Sequence, residues 1–336
     1  MKSHQKKENW PICWVVLIDL ILLGAGLVIF ALFHHVLPRD TLQTGIMLPE
    51  PAASLTTQTT KATSFATSVK ETEAADPDDW HTQFKEQFAD GPPSITDSSY
   101  RSANVAVTIE KLQKDDAVCY VADIYLSSVK QLRSAFAKGQ YARNVADEVL
   151  NMAIENDAIL AISGDYFGIR DEGLVIRNGQ LYRDVLFQDT LILYYDGSME
   201  TVTAQQCDLD RILSEGAWQA WSFGPMLLDA NGQPMTRFNS QVNPDNPRGA
   251  IGYYEPGHYC FVLVDGRQPG YSNGMTLQEL SGLFYELGCQ AAYNLDGGES
   301  AVMTFLGKVV NKPYKDGRKI SDIIYVADIA PEGISP

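Results

Sequence analysis

Three apolar runs in this chain end on a carboxylate: AILAISGDYF (158–167), CFVLVDGR (260–267) and AAYNLDGGES (291–300). A strand that is apolar and then breaks at Asp-Gly has left the core and placed a carboxylate where the backbone turns freely. Asp165, Asp265 and Asp296 are the carboxylates so placed. Tyr166, Arg248, Arg267, Asn294, Gly297, Gly298, Glu299 and Ser300 stand close to them in sequence or in parallel motifs. Paired carboxylates suit glycosidic cleavage, one as nucleophile or base and one as acid. Arginines suit phosphate, because a guanidinium grips two oxygens at once. Together they suggest a bond between a sugar and a phosphate. A plainer alternative stays open, in which Arg248 is an ion pair at a strand start and Arg267 pairs with Asp265.

Other chemistries find less support. His4, His34, His35 and His81 lie in or near the N-terminal segments, and His258 sits in a turn, so no histidine qualifies as a base. Ser300 lacks G-x-S-x-G and a histidine partner, which argues against a serine hydrolase. No Walker or Rossmann glycine loop is present, so no nucleotide cofactor is expected. A divalent cation held by Asp165, Asp296 and Glu299 is an alternative on donor chemistry alone, although no EF-hand spacing accompanies it.

The elements around these residues follow from periodicity. Thr276-Leu-Gln-Glu279 is a capping box, followed by Leu277, Leu280, Leu283, Phe284 and Leu287 at helical spacing and then Gly288 as a stop. The runs on either side therefore form a strand–helix–strand unit, whose parallel strands bring Asp265 and Asp296 to one sheet edge, where ligands bind in open α/β sheets. Strands are predicted over 105–112 and 117–126, and a helix over 144–156. Hairpins are predicted at Asn178-Gly179, Asp196-Gly197, Asn231-Gly232 and Gly307. The expected fold is α+β or mixed α/β: one domain over 100–330 with a mixed sheet core, few helices and many hairpins.

The first hundred residues read differently. Residues 1–10 form a short tail, and 11–37 are nearly all apolar, broken by Asp19, His34 and His35. Roughly 20 apolar residues suffice for a bilayer-spanning helix. Lys2, Lys6 and Lys7 precede the span, which predicts a cytoplasmic N-terminus and an extracellular domain. Residues 38–95, rich in Thr, Ala and Ser, are expected to be a flexible stalk. The net charge is −16, with residues 1–39 carrying +2, so the body is acidic and a poor partner for nucleic acid. Cys119, Cys207, Cys260 and Cys289 show no zinc spacing.

The segments NPRGAIG (246–252), VLVDGR (262–267), GMTLQEL (274–280), ELGCQAAYNLDGGESA (286–301) and VVNKP (309–313) resemble the phosphodiester glycosidase family. ISGDYFG (162–168) and SFGPMLL (222–228) are similar to two further blocks of it. The likeness covers residues 158–326 in the family's order. It implies hydrolysis of a sugar-1-phosphodiester, with a pocket at Asp165, Arg248, Asp265, Arg267, Asp296 and Glu299. Asp296, Asp265 and Glu299 then take catalytic roles, and the remaining candidates contact a carbohydrate phosphodiester substrate. Two departures stand out: Ser163 where the family commonly has Asn, and Glu299 where it has Gly. An added carboxylate at Glu299 either forms an acid/base pair with Asp296 or shapes the rim by pairing with Arg248, Arg267 or Lys308.

Overall fold

The computed structural model describes residues 12–32, 45–51, 80–238, 240 and 242–329. Helix α1 (Ile12–Ala31) belongs to one compact unit, and the chain from Thr41 onward forms another. Helix α1 is apolar apart from Asp19, with Leu20, Ile21, Leu22 and Leu23 exposed. The membrane span expected over 11–37 is not borne out. It runs past the described residues at both ends, and within them no helix is long and apolar enough to cross a membrane.

The second unit begins with β1 (Ile46–Met47), α2 (Trp80–Gln83), β2 (Ser94–Ile95) and β3 (Ser99–Arg101). A long hairpin follows, β4 (Val105–Lys114) and β5 (Ala117–Leu126), then β6 (Leu132–Phe136), α3 (Val149–Glu155) and β7 (Leu160–Ser163). Next come β8 (Gly173–Arg177), β9 (Gln180–Val185), β10 (Thr190–Tyr194), β11 (Met199–Val202), α4 (Leu209–Ser214) and β12 (Ala217–Trp221). The C-terminal part holds β13 (Arg248–Glu255), β14 (His258–Val264), α5 (Leu277–Glu286), β15 (Ala291–Asn294), β16 (Met303–Phe305), β17 (Lys308–Val309) and β18 (Asp322–Val326).

Three sheets result, in the orders β1-β9-β8-β12-β10-β11, β15-β13-β14-β5-β4-β3-β2 and β17-β16-β7-β18-β6. The fold is sheet-rich with few helices, as expected. Every strand pairing among the described residues is antiparallel. The unit from β14 to β15 still has its two strands running the same way, because β13 lies between them, antiparallel to both. The capping box forms, with Thr276 accepting from the Glu279 amide and the Glu279 side chain accepting from the Thr276 amide. Leu277, Leu280, Leu283 and Phe284 bury one face of α5. Each such side chain contributes about 1.5–3 kcal/mol on burial.

Local turn chemistry explains the hairpins. Asn178 and Gly179 both adopt left-handed φ, +52° and +73°, and close β8 onto β9 with Arg177 opposite Gln180. Leu306-Gly307 does the same between β16 and β17. The hairpin predicted at Asn231-Gly232 reduces to one bridge, Leu228 to Pro234. The helix predicted over 144–156 starts only at Val149. Asn144 is left-handed, and Asp147 pairs with Ile320, so the first turn is diverted into a tertiary contact.

The folded region also begins earlier than Tyr100. Trp80 is buried in the main core, where Gly197 and Gly257 leave room for its ring. Leu48 is buried beside β1, so part of the predicted stalk docks on the sheet. The stretch 52–79 lies outside the described residues.

Candidate functional site

Arg248 opens β13 opposite Val264, the last residue of β14, and Ala250 stands opposite Asn294, the last of β15. The loops carrying Asp265 and Asp296 and the start of β13 therefore share one sheet edge. Strand β7 of the third sheet ends against them: Ser163 Oγ donates to the Asp296 carbonyl at 2.9 Å, and the Asp296 amide donates to the Gly164 carbonyl at 3.1 Å. Two sheets thus clasp the backbone of Asp296.

The glycines after it are sterically required. A Cβ on Gly297 would stand 2.5 Å from the Pro247 carbonyl oxygen, and Gly298 has φ +63° while its amide donates to that same oxygen at 2.9 Å.

A cavity of about 370 Å³ opens at this edge, lined by Arg248, Arg267, Arg318, Asp296, Glu299, Asn294 and Phe223 with Gly297 and Gly298. Asp296 is only 4 % exposed. Burial pushes its carboxyl above the ordinary value, and Arg318 beside it offsets part of the shift. Arg318 Nη2 reaches both Asp296 oxygens, at 3.2 and 3.0 Å. Arg318 is itself held by Ser300, whose Oγ accepts from Nε at 2.6 Å, and by the Tyr166 ring 4.5 Å from its guanidinium carbon. Ser300 and Tyr166 thus act behind Arg318 and do not line the cavity.

The other two arginines of the cavity, Arg248 and Arg267, have no carboxylate partner among the described residues. Arg248 donates through Nε to Met275 O at 2.8 Å and through Nη2 to Pro244 O at 2.6 Å and Asn243 O at 3.3 Å. Its Nη1 makes no hydrogen bond among the described residues. Burial lowers the guanidinium to about 10, which still leaves it charged at neutral pH. Arg267 donates to Asn246 Oδ1 from Nε at 3.1 Å and Nη2 at 2.7 Å. Neither alternative ion pair, Arg248 at a strand start or Arg267 with Asp265, is present among the described residues.

Three further predicted site residues are placed differently. The Asp265 carboxylate is buried and accepts from Tyr271 Oη at 2.8 Å, Asn311 Nδ2 at 2.8 Å and the Lys312 amide at 3.1 Å. It does not line the cavity; it ties the loop after β14 to the chain beyond β17. Asp165 lies in the core, its carboxylate 3.0 Å from Arg177 Nη2, with Asp322 2.9 Å from the same nitrogen. Burial pushes Asp322 up to about 6, and Arg177 counters this only in part because it serves two carboxylates. Glu299 does line the cavity, but Lys315 Nζ sits 2.8 Å from its carboxylate and lowers its pKa. It is a rim residue. Its partner is Lys315, which sequence reasoning did not consider, and no hydrogen bond joins it to Asp296 among the described residues.

Asp165, Asp296 and Glu299 therefore each face a different protein cation. Among the described residues no group of three His, Cys, Asp or Glu side chains is arranged to hold a metal.

Sequence reasoning also missed Arg318. Its signal was legible, because Asp316-Gly317-Arg318 repeats the Asp265-Gly266-Arg267 pattern. Phe223 and Asn246 lay inside quoted segments without being singled out.

A family model described as phosphodiester glycosidase matches residues 156–327. The chain belongs to the phosphodiester glycosidase family. The matched part of this glycosidase domain carries all the charged residues that line the cavity, Arg248, Arg267, Asp296, Glu299 and Arg318. A curated relative, the SPbeta prophage-derived uncharacterized protein YomE of Bacillus subtilis (strain 168), is 30 % identical over 174 residues, 49 % of this chain and 27 % of that protein. The chain thus spans about a quarter of that relative's length. The catalytic domain of zebrafish N-acetylglucosamine-1-phosphodiester α-N-acetylglucosaminidase superposes with a TM-score of 0.52 at 17 % identity, over 67 % of this chain and 83 % of that one. At that identity the likeness concerns the fold of the glycosidase domain.

Proposed function

We propose that this domain hydrolyses the bond between a sugar anomeric carbon and a phosphodiester, of the N-acetylglucosamine-1-phosphate type, in cell-envelope or exopolysaccharide material. The charge layout of the cavity carries the reading. Arg248 and Arg267 line it without a carboxylate partner among the described residues, in a chain of net charge −16, and Asp296 stands between sheets at the same cavity. Unpaired guanidiniums beside a buried carboxylate suit a ligand with an anionic group next to a centre that becomes positive.

A phosphodiester departs as a weakly basic anion, so little general acid is needed. Arg248 and Arg267 stabilise the departing phosphate charge. Asp296 faces the sugar C1, as nucleophile or as base for water, and Arg318 holds it ionised and oriented. We further propose that residues 11–37 anchor the chain with its N-terminus in the cytoplasm and the domain outside. The supporting observations are the apolar composition of that segment and the lysines before it.

The test is release of free sugar from a panel of sugar-1-phosphodiesters by the full chain in detergent. Asp296→Asn should retain ligand and lose turnover by orders of magnitude. Folded protein that turns over no member of the panel overturns the proposal.

One observation favours a second reading, a non-catalytic glycan-binding ectodomain. Both oxygens of Asp296 engage Arg318, and the other lining carboxylate, Glu299, is tied to Lys315. Under that reading the wild-type protein binds the same donors, and Asp296→Asn alters affinity alone.

A further inference from the structure

Gly252 occupies the middle of β13 without a positive φ, so its backbone gives no reason for glycine. Space does. A Cβ there would lie 2.8 Å from Cys260 Sγ, 2.8 Å from Cys289 Sγ and 2.7 Å from Phe284 Cε1. Cys260 is directly opposite Gly252 on β14, and Cys289 sits in the turn from α5 into β15. The two sulphurs meet over the glycine at 3.7 Å. Both side chains are buried in the apolar layer between this sheet and α5. Cys119 and Cys207, by contrast, make no sulphur–sulphur contact among the described residues.

We propose that Cys260 and Cys289 form a disulfide when the chain folds under oxidising conditions, and that Gly252 is the seat that lets the two sulphurs close. The bond crosses over β13 and joins the strand that leads to Asp265 and Arg267 to the turn that feeds the strand leading to Asp296. It encloses α5 with its capping box. The brace therefore acts on the sheet edge that bears the cavity, and it does not depend on which reaction occurs there.

The chemistry is thiol–disulfide exchange with a low-molecular-weight disulfide such as oxidised glutathione. One cysteine thiolate attacks the small disulfide and releases one small thiol. The second cysteine displaces the other, so the chain loses two protons and two electrons and two small thiols leave. Burial pushes the Cys260 thiol well up, so exchange in the folded, reduced protein is slow and pairing accompanies folding.

The experiment refolds the full chain in detergent with a mixture of oxidised and reduced glutathione. Free thiols are alkylated after unfolding, and peptides are mapped without reduction. The expected result is one cross-linked peptide pair joining Cys260 to Cys289, with Cys119 and Cys207 alkylated. Oxidised protein should melt roughly 5–10 °C above reduced protein, a difference that Cys289→Ala removes. Full alkylation of both cysteines, or a cross-link to Cys119 or Cys207, overturns the proposal. The peptide map reads the wild-type chain, so it decides the matter even where the variant folds poorly.

Discussion

Arg318 and Asp296 form a two-oxygen contact through a single nitrogen, with Nη2 3.2 and 3.0 Å from the carboxylate oxygens. They come from segments 22 residues apart, and the pair joins the loop after β15 to the loop before β18. Burial disfavours the charge on Asp296, and Arg318 restores part of it. Removing the cation therefore raises the carboxyl pKa further. For Arg318→Ala the acidic limb of the pH–rate profile should move to higher pH and maximal sugar release should fall at least tenfold. Arg318→Lys should recover part of the loss. Unchanged profiles for both variants would show that Asp296 works without this partner.

Glu299 gives the opposite expectation. Its carboxylate is paired with Lys315 at the rim and its pKa is lowered, so it is ionised when a general acid would need its proton. Glu299→Gly should leave the shape of the pH–rate profile unchanged and alter turnover less than about threefold, a change too small for loss of a general acid. A tenfold fall with a shifted acidic limb would restore Glu299 as a catalytic partner.

Asp265 acts through architecture. Its carboxylate receives three hydrogen bonds in a buried setting, from Tyr271, Asn311 and Lys312. Asp265→Ala leaves those donors unpaired at a cost of about 1–3 kcal/mol. Denaturant titration should show that loss, while turnover per folded molecule stays within a few-fold of wild type. A stable variant with no activity would move Asp265 into the reaction itself.

Asp322 makes stability depend on pH. Its pKa is about 6 in the folded protein against 3.8 as the ordinary value, so between those pH values the folded state holds more protons than the unfolded one. This group's stabilising contribution is full below about pH 4 and is lost as pH rises through about 6. The melting temperature should rise when the buffer is taken from pH 7 to pH 5. Asp322→Asn, which leaves Arg177 with one carboxylate, should flatten that rise. Equal slopes in both proteins would assign the effect to other groups.

Local chemistry accounts for what was legible in sequence. Asn178-Gly179 closes a hairpin because asparagine and glycine tolerate left-handed φ, Gly307 supplies the same freedom between β16 and β17, and Thr276 and Glu279 satisfy the first amides of α5 wherever the helix packs. The common direction of β14 and β15, and with it the shared edge of the Asp265 and Asp296 loops, followed from the intervening helix. The turns and the cap need no distant partner, and the direction of β14 and β15 needs only β13 between them.

Side-chain destinations did need one. Asp165, Asp265 and Asp296 look alike in sequence, each an acidic break after an apolar run. One ended in a buried ion triad with Arg177 and Asp322, one in a hydrogen-bonded brace with Asn311, and one against Arg318 at a cavity. Arg177 and Asp322 lie 12 and 157 residues from Asp165, Asn311 lies 46 from Asp265, and Arg318 lies 22 from Asp296. A buried carboxylate must find a cation or donors to offset desolvation. Which of these it finds is set by how β7, β13 and β18 from two sheets converge, a matter of tertiary packing that no local pattern encodes.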